Sequence, residues 1–468
     1  MPAVDRDRPN VILIVSDDHG YADRGALGIH PDVRTPALDR LAAEGVTCDS
    51  AYVSAPICSP SRAGIISGRY QQRWGAKWFD SSAFPPDGQT LAERFTTLGY
   101  ATGYFGKVHY GPERPGDRAC PDNHGFAETL YGLAGLSMGR LHYQHHSRAA
   151  AAEYGPARTR VHGVSPLFAD GTETDSEGFL TSVLGGRARD FVTRHRDEPF
   201  FGMLAFNAVH NFCWQLPKEE LDRRGLAEHP DWDDDASAYT DWYDGAISPN
   251  LPDGRAYYRA QLELMDAEIG RLLDELDASG LAENTVVIYT TDNGGSTCNY
   301  GDNTPLAGTK YTLWEGGIRV PLIARWPAGS ISGGRHNDAL VSTLDIYPTL
   351  LTAAGGVPRD CDGINQLPLL NGRRSTGHET LHWDCAFQWA VRDTEWKLTW
   401  VEPDSPAVAG IRQVEHTDPG AGMRLHRIAK DIGETTELAA AHPDVVERLT
   451  ALHENWARSL TRPAPAAG

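Results

Sequence analysis

The sequence predicts an α/β protein: a large, mainly parallel sheet flanked by helices on both faces, followed by a smaller C-terminal α+β subdomain. Three observations carry this expectation. Short apolar runs, Val-Ile-Leu-Ile-Val at 11–15 and Val-Val-Ile-Tyr-Thr at 286–290, read as buried strands. Between such runs stand amphipathic helical segments with start and stop signals. After Gly355-Gly356 the pattern changes to a strand pair, 382–389 and 390–401, and a final helix near 443–460. We place the α/β unit at 1–372 and the subdomain at 373–468.

Taken in order, the strand at 11–15 comes first. Thr35-Pro36 then supplies an N-cap and a first-turn proline, Leu38 and Leu41 share a face, and Gly45 ends the helix. A second strand-like run, 46–53, leads to Cys58, with a helix expected over 61–67. Thr90 opens a helix whose Leu91, Phe95 and Leu98 fall at i, i+4 and i+7 before Gly99, and a strand at 101–105 follows. Residues 132–178, rich in Gly, Ala, His and Arg without periodicity, read as a long insertion over the sheet. The acidic stretch 231–235 reads as a solvated loop. Tyr258, Leu262, Met265, Ile269, Leu272 and Leu276 mark a long helix lying on the sheet.

Composition narrows the function. The chain has 468 residues, 40% hydrophobic and 23% charged, as in an ordinary globular protein. A net charge of −20 argues against sequence-independent binding to nucleic acid, so an anionic substrate needs a local basic pocket. The apolar run at 11–15 is far shorter than the roughly 20 residues that span a bilayer. The first ten residues lack the apolar core of a secretory signal, so the expected location is the cytoplasm unless a leader has been trimmed. The seven cysteines form no Cys-x-x-Cys pair and read as mostly reduced, buried thiols.

Five polar clusters stand directly after apolar strand-like runs: Asp17-Asp18-His19, Cys58 to Arg62, Gly106 to His109, Asn207 to His210, and Asp292-Asn293. Ligands of open α/β sheets bind outside the carboxyl ends of the strands, so these clusters should converge in one crevice. Asp17, Asp18, Asp292 and Asn293 make a hard oxygen set suited to Ca²⁺ or Mg²⁺, although either pair alone could serve as a helix cap or turn. Cys58 before a proline and a helix start would sit in the positive field of the helix N-terminus, which lowers a nucleophile's pKa; by itself a cysteine is more often a buried apolar residue. Lys107 and His109 are two apart at a strand end and should point to the same side, an anion clamp beside a proton carrier, or else a surface lysine and a loop histidine. Lys310 is a second candidate clamp. Glu315 and Arg319, four apart, read as a structural ion pair.

Together these residues resemble the type I, formylglycine-dependent sulfatases of the alkaline phosphatase superfamily, over residues 9 to about 372. The most specific element is Cys58-Ser-Pro-Ser-Arg62 followed by Ala63-Gly64, which is similar to the Cys-x-Pro-x-Arg signal read by the formylglycine-generating enzyme. Asn10 to Asp18, Gly106-Lys107-Val-His109, Thr291-Asp292-Asn293-Gly294, Lys310 with Glu315 to Pro321, and Asp345 to Leu351 also match. The resemblance implies a sulfuric ester hydrolase in which Asp17, Asp18, Asp292, Asn293 and a formylglycine made from Cys58 bind one Ca²⁺. It further implies that Arg62, Lys107 and Lys310 hold the sulfate, that an aldehyde hydrate at residue 58 attacks sulfur, that His210 protonates the leaving alcohol, and that His109 takes a proton to release sulfate. The chain departs from the family pattern around the two histidines, reading Ala208-Val209-His210-Asn211-Phe212 where prolines are frequent and Val108 where tryptophan is frequent. The expected substrate is a sulfated sugar, with His142, Tyr143, His145, His146, Trp78 and Trp214 as pocket or packing residues. A phosphate or phosphonate ester hydrolase of the same superfamily is the alternative, and a non-catalytic binder of sulfated ligands is another that the intact Cys58 motif disfavours.

Overall fold

The computed structural model describes residues 8–133, 167–174, 178–210, 212–229, 235 and 251–460. Its strands, in chain order, are β1 (Asn10–Ser16), β2 (Val46–Cys48), β3 (Ala51–Tyr52), β4 (Ala101–Lys107), β5 (Glu128–Gly132), β6 (Leu167–Ala169), β7 (Thr172–Thr174), β8 (Phe200–Ala205), β9 (Thr285–Thr291), β10 (Leu322–Arg325), β11 (Arg335–Asn337), β12 (Val341–Ser342), β13 (Leu381–Asp384), β14 (Gln388–Arg392), β15 (Lys397–Val401) and β16 (Gly422–His426). Ten of them form one sheet in the order β11-β2-β10-β9-β1-β8-β4-β5-β6-β7. The centre, β9-β1-β8-β4-β5, is parallel throughout. At one side β10 runs antiparallel to β9 and β2, and at the other β6 and β7 add antiparallel strands. The expected mainly parallel sheet is present, with mixed edges.

Both faces are covered, and β1 shows why. Strand side chains alternate between faces, so Val11, Leu13 and Val15 enter one apolar core while Ile12 and Ile14 enter the other. The helices used below are α1 (Pro36–Glu44), α2 (Cys58–Ser67), α3 (Leu91–Thr97), α4 (Leu180–Arg194), α5 (Gly254–Ala278), α6 (Ile346–Ala353), α7 (Pro406–Glu415) and α8 (Pro443–Ser459). Helices α2, α3 and α6 pack into the first core; α1, α4 and α5 pack into the second. All six apolar residues of the stripe on α5 are buried in that second core.

Several local expectations change for physical reasons. Thr35 flanks α1 but does not cap it: its Oγ1 accepts from Gly25 N–H and donates to Asp39. Asp266 on α5 does the capping instead, accepting from Ala37 N–H at 2.8 Å and Leu38 N–H at 2.9 Å. The run 46–53 splits into β2 and β3, because β3 pairs with β12 outside the large sheet. Helix α2 begins at Cys58 rather than residue 61, which puts the sulfur in its first turn. At Thr90 the expected cap is complete: its hydroxyl accepts from Glu93 N–H and the Glu93 carboxylate accepts from Thr90 N–H.

The stretch expected as a strand pair is a four-stranded antiparallel sheet, β13-β14-β15-β16, because a turn at 385–387 interrupts the first run and 422–426 adds a strand. Helix α7 was not anticipated; α8 closes the chain as expected. Within the expected insertion, residues 167–174 form β6 and β7, while His142, Tyr143, His145 and His146 lie outside the described residues. So does the acidic stretch 231–235, except for Asp235, which is exposed. The seven cysteines are free thiols, six buried and Cys298 half-buried. No described helix is long and apolar enough to cross a membrane.

The C-terminal sheet is tied to β3 through Glu315. The Glu315–Arg319 pair exists, at 3.3 Å, within a larger buried network. Tyr52 donates to Glu315 at 2.6 Å, Arg392 lies 3.2 Å away, and Lys397 bridges Glu315 at 3.1 Å and Glu434 at 2.9 Å. Removing one partner of a buried ion pair leaves an uncompensated charge, so Lys397→Met is expected to lower the unfolding free energy by about 3–5 kcal/mol, read by denaturant melts. Burial pushes the Glu434 carboxyl up to about 7, with Lys397 opposing and Glu315 reinforcing. A carboxyl with a folded pKa above its ordinary 4.5 contributes most below that pH, and the contribution is lost as pH rises to about 7. Glu434→Gln should therefore flatten the fall in stability across that window.

Candidate active site

Four adjacent strands, β9, β1, β8 and β4, deliver side chains from their carboxyl ends. Asp17 and Asp18 follow β1, Asp292 and Asn293 follow β9, Lys107 is the last residue of β4, and His210 follows β8. Two backbone hydrogen bonds join the exits of β1 and β8: Asp17 N–H to Ala208 at 2.9 Å and Val209 N–H to Asp17 at 2.7 Å. Gly106 lets β4 pass close to β8, since a Cβ there would lie 1.7 Å from the Ala205 carbonyl oxygen. Gly294 does the same beside Asn293, where a Cβ would meet the Gly316 carbonyl oxygen at 1.8 Å. That contact brings in the loop carrying Lys310, and α2 brings in Cys58 and Arg62.

These side chains form one buried cluster. Arg62 Nε donates to Asp292 at 2.7 Å, and its guanidinium lies 3.7 Å from Asp17. Lys107 pairs with Asp17 and stands 4.0 Å from Asp292. Lys310 Nζ lies 2.7 Å from Asp18 Oδ2 and 3.0 Å from His210 Nε2, which is itself 3.3 Å from Asp18. Cys58 Sγ is 3.6 Å from Asp17 Oδ1. One ligand atom each from Asp17, Asp18, Cys58 and His210 lies within 4.8 Å of all the others. The structure thus brings together every site residue expected from the sequence except His109, whose contact is electrostatic, with Lys107, Arg62 and Lys310.

Two expectations about local cause need correction. His109 does not face the site by strand alternation, since β4 ends at Lys107 and His109 takes a left-handed backbone, φ 54°. The helix start does not make Cys58 acidic. Burial and the charges of Asp292 and Asp17 push its thiol well above the usual range, against the pull of Lys107 and Lys310. A protonated thiol is a weak nucleophile.

The charges show what the cluster could hold. Burial alone would raise Asp17, but Lys107, Arg62 and Lys310 outweigh it and hold the carboxyl low. Asp18 fares differently: burial pushes it up to about 7, opposed by Lys310 and reinforced by Asp17 and Asp292. Asn293 Oδ1 is buried without a hydrogen-bond partner, while its Nδ2 donates to Asp18 at 2.6 Å. Carboxylates crowded beside an unsatisfied amide oxygen fit a hard divalent cation. Burial, Lys310 and Lys107 depress His210, and burial, Lys107 and Arg62 depress His109, so both imidazoles are neutral.

Sequence reasoning missed Asn299, which donates to Asp18 Oδ2 at 2.8 Å. Its loop is held by Glu415 of α7, which accepts from Ser296 at 2.5 Å and Thr297 N–H at 2.7 Å. No local pattern announces a contact between residues 18, 299 and 415. Trp214, a candidate pocket residue, is core, packed with Phe212 and Leu216. Trp78 is half-buried beside Tyr311 and Phe387.

A mainly parallel sheet whose strand ends gather carboxylates, an amide and three cations around one buried cysteine suits an α/β-fold enzyme that acts on an anionic ester. Comparison with known proteins narrows the class. The Sulfatase family profile matches residues 9–357. Steryl-sulfatase of Rattus norvegicus is 31% identical over 95% of this chain and 88% of that protein. N-acetylgalactosamine-6-sulfatase of Canis lupus familiaris is 29% identical over 98% and 87%. The solved structure of Ps i-CgsB in complex with k-i-k-neocarrahexaose superposes with a TM-score of 0.79 at 26% identity, covering 96% of this chain and 93% of that one. The chain belongs to the sulfatase family and is a sulfuric ester hydrolase.

Proposed function

We propose that this protein hydrolyses sulfate monoesters of carbohydrates through an oxygen nucleophile built on residue 58, within a catalytic unit spanning 1–372 and supported by a subdomain at 373–468. The observation that carries the reading is the position of Cys58, buried in the first turn of α2 against Asp17 and in the field of Lys107 and Lys310. A thiol there is held protonated and is a weak nucleophile, which supports the reading that the attacking group is instead a hydroxyl of the aldehyde hydrate made by a formylglycine-generating enzyme. Asp17, Asp18, Asp292 and Asn293 would hold Ca²⁺, with Mg²⁺ the other hard cation that suits the set. When bound, such an ion supplies positive charge that makes a neighbouring hydroxyl more acidic and favours the ionised form of Asp18.

The chain's own groups do the rest. Lys107, Arg62 and Lys310 are preorganised donors for the sulfuryl oxygens, where charge gathers as the ester bond breaks. Lys310 keeps its proton, because the Asp18 carboxylate offsets its burial, and it sits 3.0 Å from His210. The pair therefore holds a proton where the leaving oxygen needs one, with His210 relaying it. Neutral His109, in the field of Lys107, Arg62 and Lys310, would accept a proton when sulfate departs. A sugar substrate draws support from the relative named N-acetylgalactosamine-6-sulfatase and from the solved structure of Ps i-CgsB in complex with k-i-k-neocarrahexaose.

The test compares kcat/KM for matched aryl sulfate, phosphate and phosphonate esters, then for a panel of sulfated monosaccharides. The sulfate ester should be preferred and at least one sugar turned over. Preference for phosphate or phosphonate would support the rival superfamily chemistry, and no sugar turnover beside a good aryl sulfate would sink the carbohydrate assignment. Chelation by EDTA should abolish activity, and Ca²⁺ should restore it.

A further inference from the structure

We propose that Tyr311, Trp78 and Phe79 form an aromatic platform beside the anion site that receives the ring of the leaving alcohol. The substrates are then sulfate esters of ring alcohols with a flat apolar face. The inference rests on the hydrolase reading above and adds the shape of the alcohol.

Tyr311 follows Lys310 directly, and the Lys310 ammonium lies 5.3 Å from the centre of its ring. That ammonium also touches Asp18 and His210, so the ring borders the place where the alcohol leaves. Tyr311 holds φ at 72°, a left-handed backbone that bulky residues rarely adopt and that glycine would take freely. Its N–H donates to Pro56 at 2.8 Å, and its carbonyl accepts from Gln388 Nε2 at 2.7 Å.

The ring has aromatic company. Phe79 lies 5.8 Å and Trp78 6.1 Å from Tyr311, centre to centre, and Phe387 backs Trp78 at 4.8 Å. Phe79 is 43% exposed, in contrast to the buried aromatics of the sheet cores. Both halves of the platform are anchored to the segment around Cys58: Tyr311 through Pro56, and Trp78 through Ser82, which donates to its carbonyl at 2.7 Å and bonds Ser59 at 2.7 Å. The three rings are inclined to one another by 60–67°, so a substrate ring would stack on the face of one of them and meet the edges of the others.

The experiment separates binding from turnover. In a Cys58→Ala background, calorimetry would compare a sulfated monosaccharide and an aryl sulfate with inorganic sulfate, with and without Tyr311→Leu or Phe79→Ala. Phe79 lies at the surface, so its replacement does not threaten the fold. The expected result is a weakening of ring sulfates relative to inorganic sulfate, about tenfold for Tyr311→Leu. Loss with the monosaccharide assigns a sugar ring, and loss confined to the aryl sulfate assigns an aromatic alcohol. Unchanged ratios in both variants would overturn the platform. Failure of the hydrolase reading would show separately, as no sulfate ester turnover by the Cys58-bearing enzyme.

Discussion

Cys58→Ala is expected to lower sulfate ester hydrolysis by roughly ten-thousandfold or more while leaving the fold intact. The sulfur is small and buried in the first turn of α2, where alanine is well tolerated, so melting temperature and far-ultraviolet circular dichroism should stay near those of the parent. The lost group is the only source of the oxygen nucleophile in our reading, and cations alone leave a small residual rate. A variant retaining even a tenth of the parent rate would show that another group attacks the ester.

Lys107→Ala and Lys310→Ala should each lower the chemical step by roughly a hundredfold, the usual loss when a preorganised anion donor is removed. Each lysine is buried against a carboxylate, Lys107 on Asp17 and Lys310 on Asp18, so its charge acts without the screening of bulk water. Single-turnover rates on folded protein would read the effect. Near-normal rates in both variants would remove them from the site. Lys310→Ala should also slow esters with poor leaving groups more than activated ones, because it strips His210 of its neighbouring ammonium.

Much of the site was legible because its residues follow strands with an obvious apolar pattern. Once 11–15 and 286–290 read as strands, the topology of an open α/β sheet carries Asp17, Asp18, Asp292 and Asn293 to one edge. Lys107 and His210 follow the same logic, and the Cys58-Ser-Pro-Ser-Arg62 motif marked the candidate nucleophile. What stayed hidden depends on contacts distant in sequence. Asn299 reaches Asp18 from a loop pinned by Glu415, and Asp266 caps α1 from another helix. The thiol of Cys58 was misjudged because burial and two carboxylates outweigh a helix N-terminus, and no local window reveals burial. The C-terminal sheet was underestimated for the same reason, since β16 is recruited across a helix.

The central claim concerns the chemical identity of residue 58. The most direct measurement is the mass of the peptide containing it, from protein co-produced with a formylglycine-generating enzyme and shown to hydrolyse a sulfate ester. We expect an aldehyde or its hydrate in place of the thiol. An unmodified cysteine in fully active protein would contradict the account.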